Sequence, residues 1–267
     1  MKKSTFVFAA LAAMGAMPVL AQTAAAPAAP AAAAAPTPDW TFTGNLGLFS
    51  DYRFRGISQT NKKPAIQGGF DLGHSSGFYV GNWNSNVDSE MYTGSNIEMD
   101  FYGGYKATFG DFGLDVGAIY YYYPGSGSNP IGSTKINNTE LYVGGSWGPV
   151  TAKYNYAVSD FFSAPNSKGS SYLDLGFNYE IASGFAVQAH YGYQYLKGDA
   201  RVAEINGTFP GPSNISDWKL GGTYTIDGWV LGLAYIATNR DYTAGTAALT
   251  NRNISNATAV ASVSKSF

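Results

Sequence analysis

The chain of 267 residues contains no cysteine. A disulfide framework, a thiolate metal site and a cysteine nucleophile are thereby excluded. Charge is also scarce: 13% of the residues are Asp, Glu, Lys or Arg, about half of the usual globular share. Beyond the N-terminus there is no run of about 18 uncharged apolar residues, so transmembrane helices are not expected. The two histidines, His74 and His190, stand far apart and give no metal-ligand spacing. No glycine cluster reads as a phosphate loop, and no cofactor is called for.

What the chain does have begins with a leader. Lys2 and Lys3 precede an apolar stretch from Phe6 to Leu20, with small residues before Gln22. Residues 1–21 read as a cleaved secretory signal; Gly15, Pro18 and the short length argue against a first membrane helix. The Ala/Pro tract over 22–38 cannot bury a core and reads as a flexible leader to a domain spanning 39–267. Without Lys2 and Lys3, 14 basic residues face 18 acidic ones, a balance that gives no sign of nucleic-acid binding.

Aromatic residues make up 15% of the chain, and they recur on every second position. In WTFTGNLGLFSDYRFRG, Trp40, Phe42, Leu46, Leu48, Tyr52 and Phe54 share one parity, while Asp51, Arg53 and Arg55 take the other. The alternation predicts a first strand over Trp40–Gly56. It returns about eleven more times, as in IEMDFYGGYKATF (97–109) and FGLDVGAIYYY (112–122), with no convincing amphipathic helix. The expected fold class is all-β, an antiparallel barrel of about 12 strands. Short turns at 75–77, 110–111, 148–149, 182–184 and 227–228 alternate with long polar segments at 56–64, 84–96, 123–138, 159–170, 197–214 and 238–256. Short periplasmic turns and long extracellular loops are the layout of an outer-membrane barrel.

Charge placement sharpens that expectation. Within the strands the apolar parity carries one charge, Lys265. The opposite parity carries Asp51, Arg53, Arg55, Asp71, Glu98, Asp100, Lys106, Asp115, Glu140, Lys153, Asp174, Glu180, Asp217 and Lys219, together with His190. Such segregation suits a wall between lipid and a wet lumen. A soluble sandwich would alternate similarly, but it would not predict aromatics near strand ends. Phe78, Phe112, Trp147, Phe185 and Trp229 mark the short-turn rim, and Tyr52, Phe54, Tyr120, Tyr122, Tyr156, Tyr193 and Tyr195 the loop rim.

YRFRGISQT (Tyr52 to Thr60), soon after the leader and followed by paired aromatic strands, resembles the TorF family of proteobacterial porins. The likeness covers nearly the whole mature chain and implies an outer-membrane channel, without a defined substrate or catalytic residues. The terminal Phe267, with Val263, Ala261 and Ala259 on its parity, resembles the signal read by the bacterial barrel-assembly machinery; Lys265 departs from it.

The expected function is passive diffusion of small hydrophilic solutes or ions through a narrow, charged lumen in the outer membrane. Its lining would be His190 and the charged residues of that opposite parity other than Asp71. Once Asp71 is added, nine carboxylates against five Lys or Arg predict a mild cation preference. The alternatives are a barrel enzyme, lipid hydrolase or protease, and a plugged structural or adhesion barrel. GGSWG (144–148) matches a nucleophile elbow around Ser146, but another strand follows it rather than a helix. His190 could act as a general base, and Glu98 with Asp100 as a carboxylate pair. The sequons at Asn137, Asn206, Asn214, Asn253 and Asn256 read as solvated loop polarity.

Overall fold

The computed structural model describes residues 39–127, 135–200, 214–240, 243–244 and 252–267. Residues 1–21 and 22–38, read from the sequence as signal and leader, and parts of three long loops, Asn206 among them, lie outside the described residues. The chain forms strands β1 (Trp40–Phe49), β2 (Ala65–His74), β3 (Phe78–Asn86), β4 (Ile97–Phe109), β5 (Phe112–Tyr122) and β6 (Asn137–Trp147). It continues with β7 (Val150–Ala157), β8 (Ser171–Ala182), β9 (Phe185–Tyr195), β10 (Asn214–Ile226), β11 (Trp229–Thr238) and β12 (Thr258–Ser266). Each strand pairs antiparallel with its sequence neighbours, and β12 returns to β1, closing a twelve-stranded barrel. Closure leaves no unpaired edge in hydrocarbon.

The five short connections fall at one end, where the sequence places them. At the β10–β11 turn, Asp227 and Gly228 both have positive φ, 50° and 77°, as a two-residue hairpin that follows the strand twist requires. Strands of 8–13 residues suit an apolar band about 25 Å tall.

Burial is inverted relative to a water-soluble domain. The outward parity leaves Leu220 and Leu233 each 62% exposed, whereas inward Glu98 and Glu140 are 1% exposed. Trp147, Phe78 and Trp229 project outward at the short-turn rim, and Tyr122, Tyr156 and Tyr195 at the loop rim. Lys265 lies outside as well. Its ammonium sits 5.1 Å from the Trp229 ring centre and within 3.4 Å of the Asp227 carbonyl, a snorkelled position at the interface.

The seam between β1 and β12 ends on Phe267. Its backbone and that of Gly44 exchange two hydrogen bonds, at 2.8 and 2.9 Å. The Phe267 ring lies over Gly44, where a Cβ would come within 2.6 Å of it.

The first strand is shorter than its alternation suggests. β1 stops at Phe49, and the chain turns into the lumen instead of running on past the rim. Tyr52 and Phe54 are therefore inside, not in the loop-rim girdle: Tyr52 is 1% exposed and packs edge-on against Trp83 of β3. The diversion has a local cause. Asp51 accepts from Ser58 Oγ at 2.5 Å and from Arg53 Nε at 2.6 Å, drawing the segment back on itself. Arg55 and Gly56, with φ of 48° and 82°, make a tight turn between Phe54 and Ile57. Period-2 alternation survives in this small hairpin, so the pattern alone could not tell it from a barrel strand.

Candidate functional site

The inturned segment, residues 50–64, divides the lumen. On one side, Tyr52 and Phe54 join Tyr79, Trp83, Tyr102, Ile119, Tyr121 and Tyr142 in an aromatic core inside the barrel. That core fills the half bounded by β2 to β6. Phe54 meets Tyr121 and Phe162 edge-on at ring-centre distances of 5.8 Å, so the loop carrying Phe162 also closes over it.

Arg55, at the hairpin tip, crosses the lumen. Its guanidinium donates to Glu140 of β6 at 2.7 Å and to Gln194 of β9 at 2.5 Å, and it lies 4.3 Å from the ring centre of Tyr172 on β8. Arg53 reaches the other way, donating to the carbonyls of Gly56, Ile254 and Asn256. Arg55 thus ties the hairpin to the wall, and Arg53 ties it to the loop that precedes β12.

The strand walls repeat a structural unit. Tyr102 lies flat across Gly81 and donates to Asp71 at 2.7 Å; Tyr79 crosses Gly104 to Asp115 at 2.6 Å; Tyr172 crosses Gly192 to Asp217 at 3.0 Å. Only glycine fits beneath these rings, since a Cβ at Gly81 or Gly192 would sit 2.3 or 2.0 Å from the tyrosine above it. Cations cover several such rings: Lys106 over Tyr79 at 4.3 Å, Lys153 over Tyr142 at 3.7 Å and Arg55 over Tyr172. Tyr142 in turn hydrogen-bonds Tyr79. Lys106, Asp115, Lys153, Asp174 and Asp217 follow one hydrogen-bonded row from β4 to β10, with Gly144 and Gly192 between them. Strand tilt makes this row climb the wall as a line of mixed charge.

The other half of the lumen holds a cavity of about 130 Å³. Its far wall is small and neutral, with Val230, Gly232 and Ala234 of β11 and Val260, Ser262 and Ser264 of β12. The near side carries Asp51, Arg53 and Arg55 of the hairpin, and Asp174, His190, Asp217 and Lys219 of β8 to β10. Val230 and Ser264 face each other near the short turns, and Ile236 and Asp217 lie toward the loops, so the cavity runs lengthwise beside the hairpin.

The residues singled out in the sequence therefore divide into three groups. Asp51, Arg53, Arg55, Asp174, His190, Asp217 and Lys219 line the cavity. Asp71, Glu98, Asp100, Lys106, Asp115, Glu140 and Lys153 lie on the inner wall but outside that lining, with Glu98 and Asp100 on the strand that faces Trp83 and Tyr121. Glu180 is exposed near the short turns, where it accepts from the Gly184 backbone at 3.1 Å. Tyr79, Tyr102, Tyr142, Tyr172 and Gln194 were not singled out, although their inward parity was visible beside the charges. Among the catalytic alternatives, His190 has its two ring nitrogens 3.0 and 2.9 Å from Asp174 and Asp217, with Tyr172 Oη 3.1 Å from Nε2. Ser146 lies on β6 beside Gly113 and Thr151. His74 packs against Trp40 near the short turns and bonds Ser76.

Residues 32–267 match the family described as bacterial protein of unknown function (Gcw_chp). The chain belongs to that family. Comparison with curated proteins gives no sequence match. Among solved structures, the fold resembles that of the NanC porin, with a TM-score of 0.53 and 11% identity, covering 85% of this chain and 99% of the other. The KdgM porin aligns with a TM-score of 0.48 and 10% identity, covering 84% and 98%. At 11% identity the likeness to the NanC porin speaks to the barrel fold alone.

Proposed function

We propose that this protein is an outer-membrane channel for passive diffusion of small hydrophilic solutes, with residues 50–64 as its built-in constriction. The cavity carries this reading: it runs lengthwise inside a closed barrel whose outside is apolar. An eight-stranded barrel would fill its interior with side chains, whereas 16 to 18 strands leave an open aqueous channel. Twelve strands leave room for both a packed hairpin and a passage beside it. The resemblance of Tyr52–Thr60 to the TorF porins supports the same reading. On this account the N-terminal signal directs export, and Phe267 presents the chain to the barrel-assembly machinery. Asp51, Arg53, Arg55, Asp174, His190, Asp217 and Lys219 line the solute path, and neither cofactor nor enzymatic step is needed.

Single-channel recording of the refolded mature protein in a planar bilayer tests it. Discrete, reproducible current steps are expected from a heat-modifiable barrel. A correctly folded barrel that stays electrically silent would overturn the channel and favour a plugged structural or adhesion role.

A further inference from the structure

Counted over the whole lumen, carboxylates outnumber cations, yet many of the charges are engaged with each other and the balance left at the cavity is different. Asp51 is held by Arg53 and Ser58. Asp174 is held by His190, and Asp217 by both His190 and Tyr172. Among the groups left free around the cavity, three are nitrogen donors. Arg53, 4% exposed, uses Nε and Nη1 but leaves Nη2 without a partner. Gln188, 6% exposed, leaves Nε2 without one. Lys219 makes no ion pair or hydrogen bond among the described residues. All three side chains line the same cavity, whose free acceptors among the described residues include Gln67 Oε1 and Asp174 Oδ2.

Buried donors without partners are costly unless something completes them. A guanidinium, an amide and an ammonium on side chains that line one space match an oxyanion, because its oxygens accept several such bonds at once. We infer that the cavity is a binding site for a small oxyanion solute, carboxylate or phosphate, and that it makes the narrowest part of the path favour anions. The inference rests on the channel reading for its role in transport, although binding itself does not require current. Size sets the class further. About 130 Å³ is close to the ~150 Å³ engineered cavity that holds one benzene, so a solute of about six non-hydrogen atoms fits.

The test uses the mature protein, checked for folding by heat-modifiable migration. Ion selectivity is taken from the reversal potential in a KCl gradient, and succinate, inorganic phosphate and the uncharged glycerol are added in turn to the recording. Anion preference is expected, with current block by succinate or phosphate but not by glycerol; the relative block says which oxyanion the site reads. Lys219→Gln and Gln188→Leu should each weaken the block about ten-fold, the usual scale for a hydrogen bond to a charged group. Two substitutions at separate strands guard against one that fails to fold. Cation selectivity with no oxyanion block, in a channel that does conduct, would overturn the site and leave the channel standing. If the folded barrel is silent, calorimetric titration with succinate and phosphate decides the matter: heat of binding that Lys219→Gln weakens about ten-fold upholds the site while the channel reading falls, and its absence removes both.

Discussion

Arg55 and Glu140, 85 residues apart in sequence, meet at 2.7 Å across the lumen, and both are buried. One stands at the tip of an inturned hairpin and the other on the wall of β6. Their pairing decides where residues 50–64 lie, and so how much of the interior stays open. Glu140→Gln keeps the shape and removes the charge, leaving a buried guanidinium without its carboxylate. The hairpin should then leave the centre more readily, giving larger and noisier current steps. Removing one partner of a buried pair costs about 3–5 kcal/mol, so urea unfolding of the heat-modifiable form should also shift downward. Unchanged conductance in a folded Glu140→Gln barrel would show that the aromatic core, and not this pair, seats the hairpin.

Gly192 lies beneath Tyr172, and a Cβ there would stand 2.0 Å from the tyrosine oxygen and 2.4 Å from Asp217 Oδ2. Gly192→Ala should lift the ring off the wall, with an overpacking cost of about 1–3 kcal/mol. The loss should be visible in thermal unfolding. Tyr172→Phe, which keeps the ring and deletes only the hydroxyl, should cost less, about 1 kcal/mol, while leaving Asp217 to His190 alone.

The seam offers a kinetic measurement. Phe267 closes β12 onto β1 by two backbone bonds to Gly44 and lays its ring over that glycine. Phe267→Ala should slow the appearance of the heat-modifiable species during refolding into vesicles, and Gly44→Val should do so by displacing the ring. Wild-type rates in both variants would separate seam closure from this contact.

Leu141 faces outward near the middle of β6 and is 51% exposed. In lipid that exposure is to hydrocarbon. Leu141→Arg should therefore cost about 2–4 kcal/mol in bilayer refolding equilibria, the scale for a cation at the midplane. A cost near zero would argue that this band of the barrel does not sit in hydrocarbon.

Much of the fold was legible in the chain because a strand writes its two faces into alternate residues. Parity alone separates Glu98, Asp100 and Tyr102 from Met99, Phe101 and Gly103, and the structure puts the first set inside. Turn chemistry was equally direct: Asp227-Gly228 fits a tight hairpin and forms one. Alternation failed at Tyr52 and Phe54 because it reports only that neighbouring side chains point oppositely. It says nothing of which surface receives them, and the Arg55-Gly56 turn that carries them inward looks, in sequence, like the end of a strand.

The sequence by itself therefore determined the strand number, the short and long connections and the division of residues between lipid and lumen, since each of these follows from local periodicity and turn preference. Tertiary structure alone decided that residues 50–64 fold inward, that Arg55 finds Glu140, and that tyrosines cross glycines to reach aspartates on other strands. It also decided which charges stay paired and which donors face the cavity. Those outcomes depend on sheet register and barrel closure, which bring together side chains that no local pattern in the chain relates to one another.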